Sequence, residues 1–114
     1  LIVIKRIYED YEDGYRILID RLWPRGISKE RARVDLWLKE IAPSDNLRKW
    51  FSHDPKKWQG FKSRYADELK DKRALLQELK SLEKKKKSIT LLYSAKDNIH
   101  NNAVALKEIM ETVR

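Results

Sequence analysis

The chain has 114 residues, with 26 Lys and Arg against 18 Asp and Glu and a formal net charge of +8. That length suits one domain around one core. No apolar run approaches the roughly 20 residues that a bilayer requires, which excludes a spanning helix, and the lack of cysteine excludes a disulfide framework, a thiol nucleophile and a thiolate zinc site.

The charge is unevenly distributed. Lys84–Lys87 contribute +4, and residues 21–33 contribute another +4 through Arg21, Arg25, Lys29, Arg31 and Arg33 against Glu30. The rest of the chain is neutral, with 17 charges of each sign. No signal-peptide pattern precedes the first strand-like segment, and a cytoplasmic protein is the expectation.

In chain order, residues 1–8 open with a β-branched run typical of a buried strand. The polar stretch to Gly14 ends it. Tyr15 to Leu22 reads as a second strand, closed by Pro24 and Gly26. Ser28 is a candidate N-cap for a short helix. Val34, Leu36 and Leu38 then alternate with polar residues and Trp37 as in a third strand.

Helices follow. Ser44 caps a short one carrying Leu47, Trp50 and Phe51. Asp54-Pro55 is a start signal for the next, where Trp58, Phe61, Tyr65 and Leu69 form a stripe despite Gly60. Another covers residues 72–84, with Leu75, Leu76, Leu79 and Leu82 inward. Ser88 to Ala95 is the clearest buried strand. Ala103, Leu106, Met110 and Val113 share one face of a terminal helix. This order predicts an α/β fold: a single domain over residues 1–114, with a small, mostly parallel central sheet flanked by helices in a Rossmann-like manner.

In such sheets ligands collect beyond the carboxyl ends of the strands. Two segments occupy such positions. Asp20-Arg21-Leu22-Trp23-Pro24-Arg25-Gly26 supplies an acid, two guanidinium groups suited to bidentate oxyanion binding, and an indole able to stack on a base or cation. The competing structural reading pairs Asp20 with an arginine and puts Trp23 in the core. The second segment runs from Tyr93 through Ser94, Lys96, Asp97, His100 and Asn101 to Asn102, before the terminal helix. Lys96 could hold an anion beside a helix N-terminus. His100 is a candidate proton carrier. Alternatively Asn101 or Asn102 is only an N-cap, and Asp97 makes a local turn bond.

Other positions favour structural roles. His53 beside Asp54-Pro55 is expected to pack or cap, and Trp37, Trp50 and Trp58 are expected in the core. Only two histidines are present, so a histidine-rich metal site is excluded, and neither a zinc nor a calcium template is matched. Nothing in the chain calls for a cofactor. The lysine run is explained by a helix C-terminus, where cations favourably meet the dipole.

The stretch from Asp20 to Glu30, Trp50-Phe51-Ser52-His53-Asp54-Pro55, and Leu91 to Asp97 with His100-Asn101-Asn102-Ala103 closely resemble the YeaO-like branch of the family called domain of unknown function 488. The resemblance spans nearly the whole chain and implies a single α/β domain. The wider family carries Lys-Asp followed by a His-Cys-His-Arg-like string. Lys96, Asp97 and His100 match it, whereas Asn101, Asn102 and Ala103 depart. The family's Asp-x-Arg-x-x-Pro segment is met approximately, with Asp20 and Pro24 one residue closer.

Three functional readings follow. The first is a small enzyme, or enzyme-derived domain, for a phosphorylated or nucleotide-like substrate. In it Asp20, Lys96 and His100 are catalytic, and Arg21, Trp23, Arg25, Lys29, Ser94, Asp97, Asn101 and Asn102 bind substrate. It requires both segments to meet at one end of the sheet. The second is a noncatalytic nucleic-acid-binding module led by residues 21–33. The third is a protein-interaction domain. No membrane partner is expected, and the oligomeric state is left open.

Overall fold

Residues 1–112 are described by a computed structural model of the chain; Val113, expected on the inner face of the terminal helix, lies outside them. The segment with the most continuous apolar run, β4 (Ile89–Tyr93), is buried at every position. It lies between β1 (Ile2–Arg6) and β2 (Arg16–Leu18), and β3 (Leu36–Trp37) completes the order β1-β4-β2-β3. All three pairings are parallel. A central parallel strand is covered on both faces, and this is why Ile89-Thr90-Leu91-Leu92-Tyr93 does not alternate with charged residues.

The pleat divides the apolar side chains between two layers. Ile17, Ile19, Ile89, Leu91 and Tyr93 enter the main core, shared with α2 (Asp45–Phe51), α3 (Trp58–Leu69), α4 (Arg73–Lys86) and α5 (Asn102–Thr112). Leu18 and Leu92 face the other way, onto Ile7 and Ala32 of α1 (Lys29–Ala32), with Trp23 and Trp37 packed alongside. Arg16 is also buried; its Nε and Nη2 donate to Ala32 O at 3.1 and 2.9 Å, closing the end of α1. Burial lowers the pKa of this guanidinium, partly offset by Tyr11 and Asp35.

Capping set the helix starts much as the sequence indicates. Ser28 Oγ accepts from Arg31 N, and Ser44 Oγ accepts from Leu47 N at 3.1 Å. Ser44 also bonds Glu68 through its N–H and hydroxyl, tying α2 to α3. Asp54 caps a 3-10 turn over Pro55–Lys57, so α3 proper begins at Trp58 rather than at the proline. The stripe Trp58, Phe61, Tyr65 and Leu69 is buried as expected.

Gly60 has a packing role. A Cβ there would lie 2.8 Å from Trp50 Cη2. Its absence lets the half-buried Trp50 ring lie against α3, with the Arg64 guanidinium 3.9 Å above its centroid.

Two strands are shorter than the sequence suggests. The run from Tyr15 to Leu22 yields only Arg16–Leu18, because Ile19 N makes the last bond toward β4, to Leu92 O at 3.3 Å, and Asp20 then turns its carboxylate toward the loop after β4. The third strand contracts to the two-residue edge Leu36–Trp37. Ile7 N reaches Tyr93 O at 2.8 Å, so β1, β2 and β4 end at one level. Lys84–Lys86 close α4 and Lys87 takes a left-handed conformation before β4 begins. The lysine run therefore lies at the amino end of the sheet.

Candidate functional site

The loops leaving β1, β2 and β4 meet at the carboxyl end of the sheet, around a cleft of about 1230 Å³. Asp20, Arg21, Trp23, Arg25, Ser94, Lys96, Asp97, His100, Asn101 and Asn102 all line it. Lys29 does not line it; it lies exposed at the start of α1. The two segments singled out in the sequence thus share one site.

Asp20 holds that site together. Its Oδ2 accepts from Ser94 N at 3.1 Å and from Ser94 Oγ at 2.5 Å, and its Oδ1 accepts from Asn102 Nδ2 at 2.9 Å. Asn102 also donates to Ile19 O, and Trp37 Nε1 donates to Asp20 O at 2.7 Å. One carboxylate therefore joins the end of β2, the loop after β4 and the start of α5. Charge-assisted bonds of this kind are the stronger class of hydrogen bond.

Asp97 works locally. Its Oδ1 accepts from Ile99 N at 2.8 Å and His100 N at 2.9 Å, while Oδ2 meets His100 Nδ1 at 2.8 Å. The backbone bonds from His100 and Ile99, then the imidazole bond, hold this carboxyl down at about 2. The imidazole is fixed between Asp97 and the edge of the Trp58 ring, 5.3 Å between centroids. Asn101 is the N-cap of α5, with Oδ1 accepting from Val104 N at 3.0 Å, and its Nδ2 donates to Asp97 O.

Trp23 has a packing role at the edge of the cleft. It packs edge-on against Trp37 at 5.5 Å and donates Nε1 to Ile27 O, yet borders the cleft. Arg21 donates Nη2 to Ala42 O at 3.2 Å, and its buried Nε has no partner. The Arg25 and Lys96 side chains are exposed at the cleft, each with its charge unpaired among the described residues. Gly26, with φ +78°, makes the turn beyond Arg25 in a conformation suited to glycine.

Several lining residues lie outside the two segments singled out in the sequence. Arg6 donates Nε to Ala95 O at 2.8 Å and lies 4.6 Å from the Tyr8 centroid, and Tyr8 OH donates to Arg25 O at 2.6 Å. Arg48, Ser52 and His53 arrive from the end of α2. His53, expected to pack or cap, is exposed on the cleft wall. The adjoining Asp20-to-Gly26 and Tyr93-to-Asn102 strings announced themselves by composition. Ser52 and His53 stood out only within the resemblance motif, and Arg6, Tyr8 and Arg48 carried no such signal, because nothing local marks the end of β1 or of α2 as facing the cleft.

Beneath the cleft, buried Tyr65 donates to Ile41 O at 2.6 Å, and burial followed by the nearby Glu68 and Asp20 raises its pKa. Among the described residues no group of three or more His, Asp or Glu is placed to hold a metal. No helix among them is long and apolar enough to cross a membrane.

Parallel strands ending together at a basic cleft define an α/β protein with its candidate ligand site at the strand carboxyl ends. The chain belongs to the DUF488-N3 group: residues 1–113 match the family model described as the inactive DUF488-N3 subclade. It is 42% identical over 111 residues to the uncharacterised protein YeaO of Escherichia coli K12, covering 96% of each chain. It is 49% identical over 74 residues to the uncharacterised Mycobacterium tuberculosis protein Rv3073c and to Mb3100c of Mycobacterium bovis. Those matches span 63% of this chain and of each mycobacterial relative. No solved structure matches significantly. The family resemblance and the α/β class expected from the sequence both hold, and the sheet is wholly parallel.

Proposed function

We propose that the cleft binds a small phosphorylated or nucleotide-like molecule. One observation carries the reading: among the described residues five cations line the cleft, Arg6, Arg21, Arg25, Arg48 and Lys96, against two carboxylates. Both carboxylates are already occupied, Asp20 by Ser94 and Asn102, Asp97 by Ile99 and His100. The free charge of the cleft is donor charge, suited to an acceptor-rich anion. Lys96, Arg25 and the outer face of Arg21 take the oxyanion, and Trp23 walls the pocket. The part of the ligand without charge meets Leu22, Pro24, Ala42 and Phe51.

Turnover is a second reading, favoured by the Asp97–His100 pair at 2.8 Å. A carboxylate on Nδ1 orients an imidazole so that Nε2 can exchange a proton. Asp20, with both oxygens bonded within the protein, serves this reading better as a frame than as a base. The subclade's description as inactive favours binding without turnover. A nucleic-acid track is less supported, since the lysine run lies at the other end of the sheet from the cleft.

Isothermal calorimetry with inorganic phosphate, pyrophosphate and ADP tests the proposal. At least one probe should bind the wild type, and both Lys96→Ala and Arg25→Ala should weaken it. Phosphate release from ADP, followed over hours, separates binding from turnover. Failure of all three probes, or binding indifferent to both substitutions, would remove the small-anion reading.

A further inference from the structure

Polar side chains reach the cleft from two sides, Arg6 and Arg21 being already bonded to backbone carbonyls. Arg25 and Lys96 rise from the loops behind β2 and β4, whereas Arg48, Ser52 and His53 come from the last turn of α2 and the residues beyond it. Apolar Ala42, Pro43, Phe51 and Phe61 also border the cleft. A ligand with one anionic group needs only one of these sides.

The end of α2 has an unusual conformation. Ser52 and His53 are consecutive non-glycine residues at φ +48° and +57°, a region that side chains with a Cβ rarely occupy and that costs energy to hold. Hydrogen bonds sustain it: Ser52 N to Arg48 O at 2.9 Å, Asp54 N to Phe51 O at 3.0 Å, and Lys57 Nζ to Trp50 O at 2.9 Å. Those bonds also occupy carbonyls at the helix C-terminus, reducing the partial negative charge that would repel an anion. The His53 ring lies 6.4 Å from that of Phe51, and among the described residues its imidazole has no hydrogen bond or ion pair. Among the described residues the Arg48 guanidinium pairs with Asp45 alone, at 3.6 Å on an exposed surface, a pairing of little strength.

Building on the reading of the cleft as an anion site, we propose that Arg48, Ser52 and His53 form a second oxyanion subsite. The ligand class this implies is a polyphosphate ester, one phosphate on Lys96 and Arg25 and another reaching the α2 end. The left-handed turn is then the cost of setting Ser52 and His53 on the cleft wall near Arg48.

Inorganic phosphate and tripolyphosphate test this without dependence on any base. Calorimetry should be run on the wild type, Arg48→Gln, His53→Gly and the double variant. Glycine accepts the left-handed conformation, so His53→Gly should melt no lower than the wild type, and a loss of affinity cannot then be laid to unfolding. Tripolyphosphate should bind the wild type at least about tenfold tighter than phosphate, and the double variant should lose about that factor for tripolyphosphate alone. Equal binding of the two probes to the wild type overturns the second subsite, as does an equal loss of both, or of neither, in the double variant. Absence of binding by either probe to the wild type instead removes the anion site itself, and the subsite with it.

Discussion

The two ends of the sheet are both strongly basic and use that charge differently. At the amino end, Lys84–Lys86 close α4 and Lys87 caps it, all four exposed, where cations complement the helix dipole and Lys86 Nζ also lies 5.1 Å over the Tyr15 ring. At the carboxyl end, arginines and Lys96 converge on one cleft from separate elements, with Arg6 and Arg21 held by bonds to Ala95 O and Ala42 O. Charge alone therefore distinguishes nothing in this protein. Convergence does, and it depends on carboxylates that are used up in holding the loops.

The sharpest way to break this contrast is to remove the frame at the carboxyl end. Asp20→Ala strands the Ser94 and Asn102 donors and should cost about 1.5–3 kcal/mol in denaturant unfolding, the range for hydrogen bonds to a charged group. Ligand affinity should vanish with it, while Asp20→Asn, which keeps the shape and one acceptor, should lose less. Unchanged stability in Asp20→Ala would show that the strand ends meet without the carboxylate.

Next in size is the binding charge. Lys96→Ala and Arg25→Ala should each weaken the bound anion by about tenfold, one charge-assisted contact apiece, with little change in melting temperature. A matching loss of stability would make these residues part of the frame.

The local carboxylate gives a pH test. Asp97 has its folded pKa depressed to about 2, so the stability it contributes is fully present above the unfolded value of about 3.9 and is lost as pH falls toward 2. Carbon NMR should show the carboxyl titrating near 2. The melting temperature of Asp97→Asn should fall less steeply than the wild type's below about pH 4. Parallel slopes would mean that the His100 bonds are not maintained in solution.

The smallest effect should come from the amino end. Changing Lys84–Lys87 together to Gln should leave anion affinity within about twofold at physiological salt, where screening acts over about 8 Å and a five-residue strand spans roughly 16 Å. A large loss would join the two ends into one binding surface.

Much was already written in local sequence. Ser28, Ser44 and Asp54 were legible as caps because a side-chain oxygen satisfies an N–H two or three residues on. The apolar run of β4 and the stripe of α3 were legible because burial imposes a period on neighbouring residues. The limits of β2 were not, since they follow from where Asp20 finds Ser94 across 74 residues. Gly60 read as a weakness in a helix until the Trp50 ring was seen against it.

The sequence by itself determined a basic α/β chain of the DUF488 family and both strand-end loops of its cleft, because short-range periodicity, capping and composition carry that information. The tertiary structure alone decided that Asp20 joins three elements, that His53 and Arg48 reach the same cleft, and that the lysine run does not. Those facts depend on contacts between residues far apart in the chain, which no local pattern encodes.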